Sequence, residues 1–176
     1  MNRLDAAQSA LRESGVLEQL AAFSPTIVST IWVGLDIPGS DIDIVCCYPN
    51  QDEFIHAATA ACREHASFKL ESHDRYVVAR CRIGDFPLEI YASAEAIAEQ
   101  AAWRHFLVMQ RLVRLAAPSF VNAVRELKLS GDKTEPAIAK VLALHGEPFA
   151  AVMALESVTD TELLQLLQRA GHLPTE

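Results

Sequence analysis

The segment that decides the fold is Ser40-Asp41-Ile42-Asp43-Ile44-Val45-Cys46-Cys47, in which two aspartates interrupt an apolar, β-branched run. Such composition favours a β-strand, and we predict one over residues 41–48. Side chains two residues apart on a strand point to the same face, about 7 Å apart, so Asp41 and Asp43 can converge on one cation. A divalent metal would compensate their mutual repulsion. The alternative is a half-exposed strand whose two aspartates face water.

The surroundings of this acidic strand favour the metal hypothesis. The connection over residues 34–40 ends in Gly39-Ser40, whose backbone N–H groups suit a phosphate-binding turn just before the strand. A third acid, Glu89, interrupts another apolar segment over residues 86–91. If the two strands are neighbours, three acids share one site. Phosphoryl-transfer enzymes use such sites, because two metal ions about 3.5–4 Å apart hold the attacking and leaving oxygens.

Elsewhere the first half of the chain alternates between helical and strand-like patterns. The hydrophobic spacing predicts helices over residues 4–22 and 51–65. The β-branched segments predict further strands over residues 26–33, 67–72, 75–83 and 86–91. From Ala94 onward nearly every segment has helical periodicity, broken at prolines and glycines. We therefore predict an α+β protein: a mixed or antiparallel sheet of about five strands with flanking helices over residues 1–93, and a helical unit over 94–176 packed on it.

The composition excludes several functional classes. Among 176 residues, 23 are acidic and 15 are basic, for a net charge of -8, which argues against non-specific nucleic-acid binding. The longest apolar run, residues 149–155, is far shorter than the roughly 20 residues of a membrane span. The N-terminus lacks the continuous apolar core of a signal peptide, so we expect a cytoplasmic protein. The four cysteines lack metal-ligand spacing, and we expect reduced thiols in the core.

The charge is unevenly distributed along the chain. Residues 101–140 contain seven basic and three acidic residues, for +4, so the rest of the chain carries -12. A triphosphate between an acidic metal site and this basic segment would meet cations from both sides. Arg104, His105 and Lys133 are the candidates for phosphate or acceptor contacts. A solvated basic face and a structural histidine are the alternatives.

Over about residues 24–92 the chain resembles the polymerase-beta-like nucleotidyltransferase superfamily. The signature of that superfamily is a small-residue pair, a spacer of about ten residues, an Asp-hydrophobic-Asp strand and a later acid flanked by hydrophobic residues. Its counterparts in this chain are Ser29-Thr30, residues 31–40, Asp41-Ile42-Asp43 and Leu88-Glu89-Ile90. The whole chain is also similar to an uncharacterised bacterial family of domains of unknown function with that fold. The segments that carry this second similarity are residues 39–43, 103–105 and 133–137.

The resemblance implies a metal-dependent nucleotidyltransferase that transfers a nucleoside monophosphate from a nucleoside triphosphate to a hydroxyl of a small molecule or a protein. Asp41, Asp43 and Glu89 would be the catalytic residues and would bind Mg²⁺ or Mn²⁺. The nucleotide-binding residues it implies are Ser29, Thr30, Gly39, Ser40, Arg104, His105 and Lys133. Ser29 stands where the superfamily usually has glycine, which favours an alternative: a catalytically inactive nucleotide-binding or protein-interaction module of the same fold. The acceptor and the oligomeric state stay open, a homodimer included.

Overall fold

The structure, a computed structural model, describes residues 2–174. The strands in this part of the chain are β1 (Thr26–Ile27), β2 (Ile42–Cys47), β3 (Ala66–Ser72), β4 (Tyr76–Ile83) and β5 (Phe86–Ser93). Its α-helices are α1 (Arg3–Ser14), α2 (Val16–Gln19), α3 (Thr30–Val33), α4 (Gln51–Cys62), α5 (Ala101–Leu115), α6 (Pro118–Leu129), α7 (Thr134–Val141), α8 (Pro148–Ala154) and α9 (Asp160–Arg169). Among these described helices, none combines the length and apolar character needed to cross a bilayer.

The described residues divide into two compact units. The first comprises the chain up to Trp32 together with Pro38–Trp103, and it contains all the strands named above. The second comprises Val33–Ile37 and the described residues from Arg104 onward, and it is helical. The helical unit therefore includes a short segment that the sequence pattern assigns to the sheet domain.

The sheet of the first unit has the strand order β1-β2-β5-β4-β3. The pairs β1–β2, β3–β4 and β4–β5 are antiparallel, whereas β2 and β5 are parallel. The predicted mixed sheet of about five strands followed by helices is confirmed. The two strands that carry the acids are adjacent, and Asp43 on β2 is level with Glu89 on β5.

One face of the sheet forms the core of this unit. Ile42, Ile44 and Cys46 of β2 are almost fully buried on this face, and on the opposite face the half-buried Asp43 and Cys47 flank the buried Val45. The helix α4 covers the buried face with residues spaced at helical intervals, namely Phe54, Ala58, Ala61 and Cys62. Asn50 starts this helix, because its side chain accepts hydrogen bonds from the backbone N–H groups of Asp52 and Glu53. The sheet therefore presents its acids on the face opposite to its core.

The strand predicted over residues 26–33 is wrong in its second half. Pairing with β2 ends at Val28, whose N–H donates to the carbonyl oxygen of Asp43 at 2.9 Å. The chain then enters the short helix α3, because the Ser29 hydroxyl accepts a hydrogen bond from the Ile31 N–H at 3.3 Å. This local capping bond overrides the strand preference of the β-branched residues that follow.

In the helical unit, the sequence signals at helix starts are largely confirmed. Pro118 and Pro148 occupy the first helical positions of α6 and α8. Thr159 and Glu162 form a capping box at the start of α9, the spacing of a small hydroxyl residue and a glutamate that marks helix starts in sequences. At the start of α7, Lys133 is the N-cap, and Thr134, a residue type that often caps helices, is already helical and buried.

Candidate functional site

The acidic face of the sheet carries the three predicted metal-binding residues. Asp41 and Asp43 are half-buried and lie two residues apart, and Glu89 lies beside Asp43 on the adjacent strand. Neighbouring strands are about 4.8 Å apart, so side chains that are level on them point to the same side. The requirement that the two acidic strands be neighbours is met. The structure brings Asp43 and Glu89 level with each other, and Asp41 directly precedes β2.

The turn before β2 has a conformation that requires glycine. Gly39 has φ of +91°, in the left-handed region where a side chain would be strained. The following residue, Ser40, is fixed from α1, because the Arg3 guanidinium donates to its carbonyl oxygen at 2.8 Å. The same guanidinium lies over the ring of Phe86, 5.0 Å from its centroid. Arg3 therefore connects the entrances of β2 and β5.

The pair Ser29-Thr30 lies directly against the acidic segment. The Ser29 hydroxyl donates to the carbonyl oxygen of Asp41 at 2.7 Å, and the residue is fully buried. Thr30 is half-buried and begins α3. Two segments of the superfamily signature, twelve residues apart in the chain, are therefore held together by one buried hydrogen bond.

The carboxylate of Glu89 is paired with Arg80, a residue that the sequence reasoning did not single out. Arg80 Nε donates to Glu89 Oε2 at 2.7 Å, and Arg80 also lies 3.3 Å from a carboxylate oxygen of Glu71. The hydrogen bond to Glu89 raises the already high pKa of Arg80, so the guanidinium is always charged. A sequence signal for this partner exists: the turn at Gly84-Asp85 places Arg80 opposite Glu89.

The residues present fit a magnesium ion. Two ligands would be Asp41 and Asp43, and Glu89 would be a third if its carboxylate left Arg80. Within residues 2–174, no group of three His, Cys, Asp or Glu residues is arranged to hold a metal ion. The Glu89 carboxylate is instead paired with Arg80. Asp41 and Asp43 supply hard carboxylate oxygens, the ligands that Mg²⁺ prefers.

The predicted phosphate contacts of the helical unit have structural partners. Arg104 Nε donates to both carboxylate oxygens of Glu156, at 3.1 and 3.0 Å. His105 is buried, with Nδ1 3.2 Å from Glu135 Oε1 and Nε2 3.2 Å from the carbonyl oxygen of Phe149. Lys133 is exposed at the start of α7. The structure thus joins the segments 103–105 and 133–137 of the family resemblance through the His105–Glu135 pair.

The pKa values of His105 and Glu135 both shift in the direction that favours opposite charges on the two side chains. The hydrogen bond to Glu135 raises the pKa of His105, against the opposing effect of burial. Burial raises the pKa of Glu135, but the hydrogen bonds from His105 and from the Glu135 backbone N–H, together with the charges of His105 and Lys128, outweigh it, so the pKa is lowered overall. His105 therefore pairs with a carboxylate inside the helical unit, an arrangement that fits the structural histidine of the alternative interpretation.

Two basic residues of α6 also serve the helical unit itself. Lys128 is buried, and its ammonium donates to the carbonyl oxygen of Leu35 at 2.6 Å. Arg125 donates to Asp36 Oδ1 at 3.0 Å. Both hold the segment Val33–Ile37, so part of the basic patch fixes backbone rather than presenting charge to solvent.

The chain belongs to the family described as Domain of unknown function (DUF4269), whose sequence pattern matches residues 9–155. No curated protein matches the chain in sequence.

Solved structures resemble the chain at low sequence identity. A cytoplasmic RNA terminal U-transferase matches with a TM-score of 0.56 and 14% identity, over 85% of this chain and 45% of its own. The Cid1 poly(U) polymerase with MgGTP bound matches with a TM-score of 0.54 and 12% identity, over 85% of this chain and 46% of its own. The GLD-2/RNP-8 complex matches with a TM-score of 0.56 and 13% identity, over 95% of this chain and 76% of its own. The chain spans about half the length of the first two, and these likenesses establish a nucleotidyltransferase-like fold.

Proposed function

We propose that this member of the DUF4269 family is a metal-dependent nucleotidyltransferase, which transfers a nucleoside monophosphate to a hydroxyl of a small molecule or a protein. One observation carries the proposal: Asp43 on β2 is level with Glu89 on the adjacent parallel strand β5, and Asp41 lies two residues before Asp43, directly ahead of the strand. The other face of these two strands is packed in the apolar core, which holds the backbone of Asp43 and Glu89 in place.

In this proposal Asp41 and Asp43 hold Mg²⁺ or Mn²⁺, and Glu89 either completes the metal site or accepts the proton of the acceptor hydroxyl. When bound, the metal neutralises charge on the triphosphate and orients the attacking and leaving oxygens. Glu89 exchanges Arg80 for the metal or the acceptor. The oxygen of the acceptor forms the new bond to the α-phosphorus, and pyrophosphate leaves.

The triphosphate is seated by the turn and by the start of α3. Thr30, Gly39 and Ser40 supply hydroxyl and backbone N–H donors, and the buried Ser29 helps by holding Thr30 against Asp41. In the helical unit we assign Arg104 and His105 to packing through Glu156 and Glu135. Lys133 is exposed at the start of α7, where its charge can bind an anionic group.

The alternative is a catalytically inactive nucleotide-binding or protein-interaction module of the same fold. Two observations favour it: Ser29 replaces the usual glycine, and the carboxylate of Glu89 is occupied by Arg80. An RNA end is a third acceptor class to be tested, because structural neighbours include an RNA terminal U-transferase and a poly(U) polymerase.

The test compares wild type with the double variant Asp41→Asn/Asp43→Asn in nucleotide binding with and without Mn²⁺, and in pyrophosphate release. The matched control is Asp74→Asn/Asp85→Asn, which removes two exposed charges from turns of the same unit. Acceptors are small hydroxyl compounds, the protein itself and an RNA 3′ end. We expect wild type and the control variant to bind nucleotide and release pyrophosphate in a metal-dependent way. The acidic-strand variant, Asp41→Asn/Asp43→Asn, should do neither.

Binding without pyrophosphate release for every acceptor would favour the inactive module. Equal metal-dependent nucleotide binding by wild type and the acidic-strand variant would refute the proposed site.

A further inference from the structure

We infer that Arg80 is a positioning residue that turns Glu89 away from the metal site, and that a divalent cation draws Glu89 back by competing with the guanidinium. This inference rests on the proposed function, because it concerns the third ligand of the same metal site. It adds a residue that the family resemblance does not include.

The register of the sheet places Glu89 between two possible partners for its carboxylate. On one side it is level with Asp43 of β2, and on the other it is level with Arg80 of β4. Both neighbours are one strand spacing away, about 4.8 Å. A rotation about the side-chain bonds of Glu89 therefore exchanges a cationic partner for the metal-binding aspartates, without any movement of the backbone.

The observed pair is easy to break. The side chains of Arg80 and Glu89 are 43% and 36% exposed, and ion pairs at such positions are weak. A divalent ion held by Asp41 and Asp43 offers Glu89 twice the charge of a guanidinium. When a divalent ion is bound at the aspartates, the Glu89 carboxylate is therefore expected to leave Arg80 and to contact the ion.

Arg80 retains a partner after the exchange. Its guanidinium already lies 3.3 Å from a carboxylate oxygen of Glu71 on β3, opposite to Glu89 across β4. When Glu89 leaves, Glu71 compensates the guanidinium charge. Glu71 and Glu89 share one cation, so Glu71 lowers the free-energy cost of separating Glu89 from Arg80. Removal of Glu71 should raise that free-energy cost.

Arg82 provides a matched control. It lies two residues from Arg80 on β4 and therefore points to the same face, but it donates to the backbone carbonyl oxygen of Asp85. Arg82→Met removes the same charge from the same face without touching Glu89. A difference between Arg80→Met and Arg82→Met isolates the contact from the general charge effect.

The experiment measures Mn²⁺ affinity of the full chain at low ionic strength, by electron paramagnetic resonance of free Mn²⁺. We expect Arg80→Met to bind Mn²⁺ about threefold to fivefold more tightly than Arg82→Met, as fits the loss of one exposed ion pair. Arg80→Lys keeps the charge and should restore affinity close to that of wild type. Glu71→Gln should weaken binding about twofold, the opposite direction. Melting temperatures without metal show that each variant is folded.

Equal affinity of Arg80→Met and Arg82→Met, or tighter binding by Glu71→Gln, would overturn the inference and leave the proposed function standing. Binding by Arg80→Met but not by wild type would support the inference in a stronger form. No Mn²⁺ binding by wild type or by any variant would instead refute the metal site itself.

Discussion

The His105–Glu135 pair decides whether the Trp-Arg-His segment is structural, and the change that tests it is His105→Gln. Both ring nitrogens of His105 face acceptors, a carboxylate oxygen of Glu135 and the carbonyl oxygen of Phe149. The ring can donate to both only as an imidazolium. Glutamine donates through a single amide nitrogen, so it cannot reproduce the two hydrogen bonds that the ring makes in opposite directions.

The pKa directions give the expected pH dependence of stability. The pKa of His105 is raised above its ordinary value of 6.5, so its contribution is complete below that pH and is lost as pH rises through the folded-state pKa. The pKa of Glu135 is lowered below 4.5, so its contribution is complete above that pH and is lost as pH falls through the folded-state pKa. The pair is therefore at full strength between pH 4.5 and 6.5.

The magnitude follows from the hydrogen bonds at stake. Above the folded-state pKa, one ring nitrogen no longer donates, and a buried hydrogen bond to a charged group contributes about 1.5–3 kcal/mol. We expect the free energy of unfolding of wild type to fall by about this amount between pH 6 and pH 9. For a chain of this size that corresponds to a fall in melting temperature of about 3–12 °C.

Urea denaturation at half-unit pH intervals measures this dependence. His105→Gln and Glu135→Gln should each lower stability at pH 6 and flatten the profile above it. His56→Gln, which alters an exposed histidine in the sheet unit, should leave the profile unchanged. A profile for His105→Gln parallel to that of wild type would refute the assignment, and loss of pyrophosphate release at unchanged stability would return His105 to a direct functional role.

Three further results are expected. Ser29→Ala removes the hydrogen bond to the Asp41 carbonyl oxygen and should lower the free energy of urea unfolding by about 1–2 kcal/mol, so an unchanged midpoint would contradict its bridging role. Phe120→Ala empties a fully buried site and should cost about 3–5 kcal/mol in the same assay, whereas a loss below 1 kcal/mol would mean that this core is loosely packed. Ellman's reagent should modify the half-exposed Cys47 in the native protein but reach Cys46, whose pKa burial raises to about 12, only on unfolding; rapid modification of Cys46 would contradict the burial described here.

Much of the sheet follows from local sequence. Alternation of apolar residues with Asp41 and Asp43 predicts which face of β2 is buried, because the side-chain period of a strand is two. The Gly84-Asp85 turn predicts the β4–β5 hairpin, and its tight connection fixes the register that opposes Arg80 to Glu89. The sequence therefore names the individual acids, whereas the parallel pairing that makes Asp43 and Glu89 neighbours joins residues 46 apart and is seen only in the structure.

The remainder depends on contacts between distant segments, which periodicity does not encode. His105 and Glu135 lie on separate helices thirty residues apart, so only the packing of α5 and α7 reveals that they meet. The buried Lys128 reads as a solvated basic residue in the sequence, because its acceptor is a backbone carbonyl of Leu35. The error over residues 28–33 has the opposite origin: the bonds of a single side chain, Ser29, outweighed the propensity of several neighbours.

The parallel pairing of β2 with β5 has a consequence for the order of folding. Glu89 is 9 residues from Arg80 but 46 from Asp43, and closing the longer loop costs about 1.5 kcal/mol more chain entropy. We therefore expect the β4–β5 hairpin to form first and β2 to dock onto it later. Arg80 then already neutralises Glu89 when Asp43 arrives, so the cation that opposes metal binding in the finished protein eases the meeting of two carboxylates during its assembly.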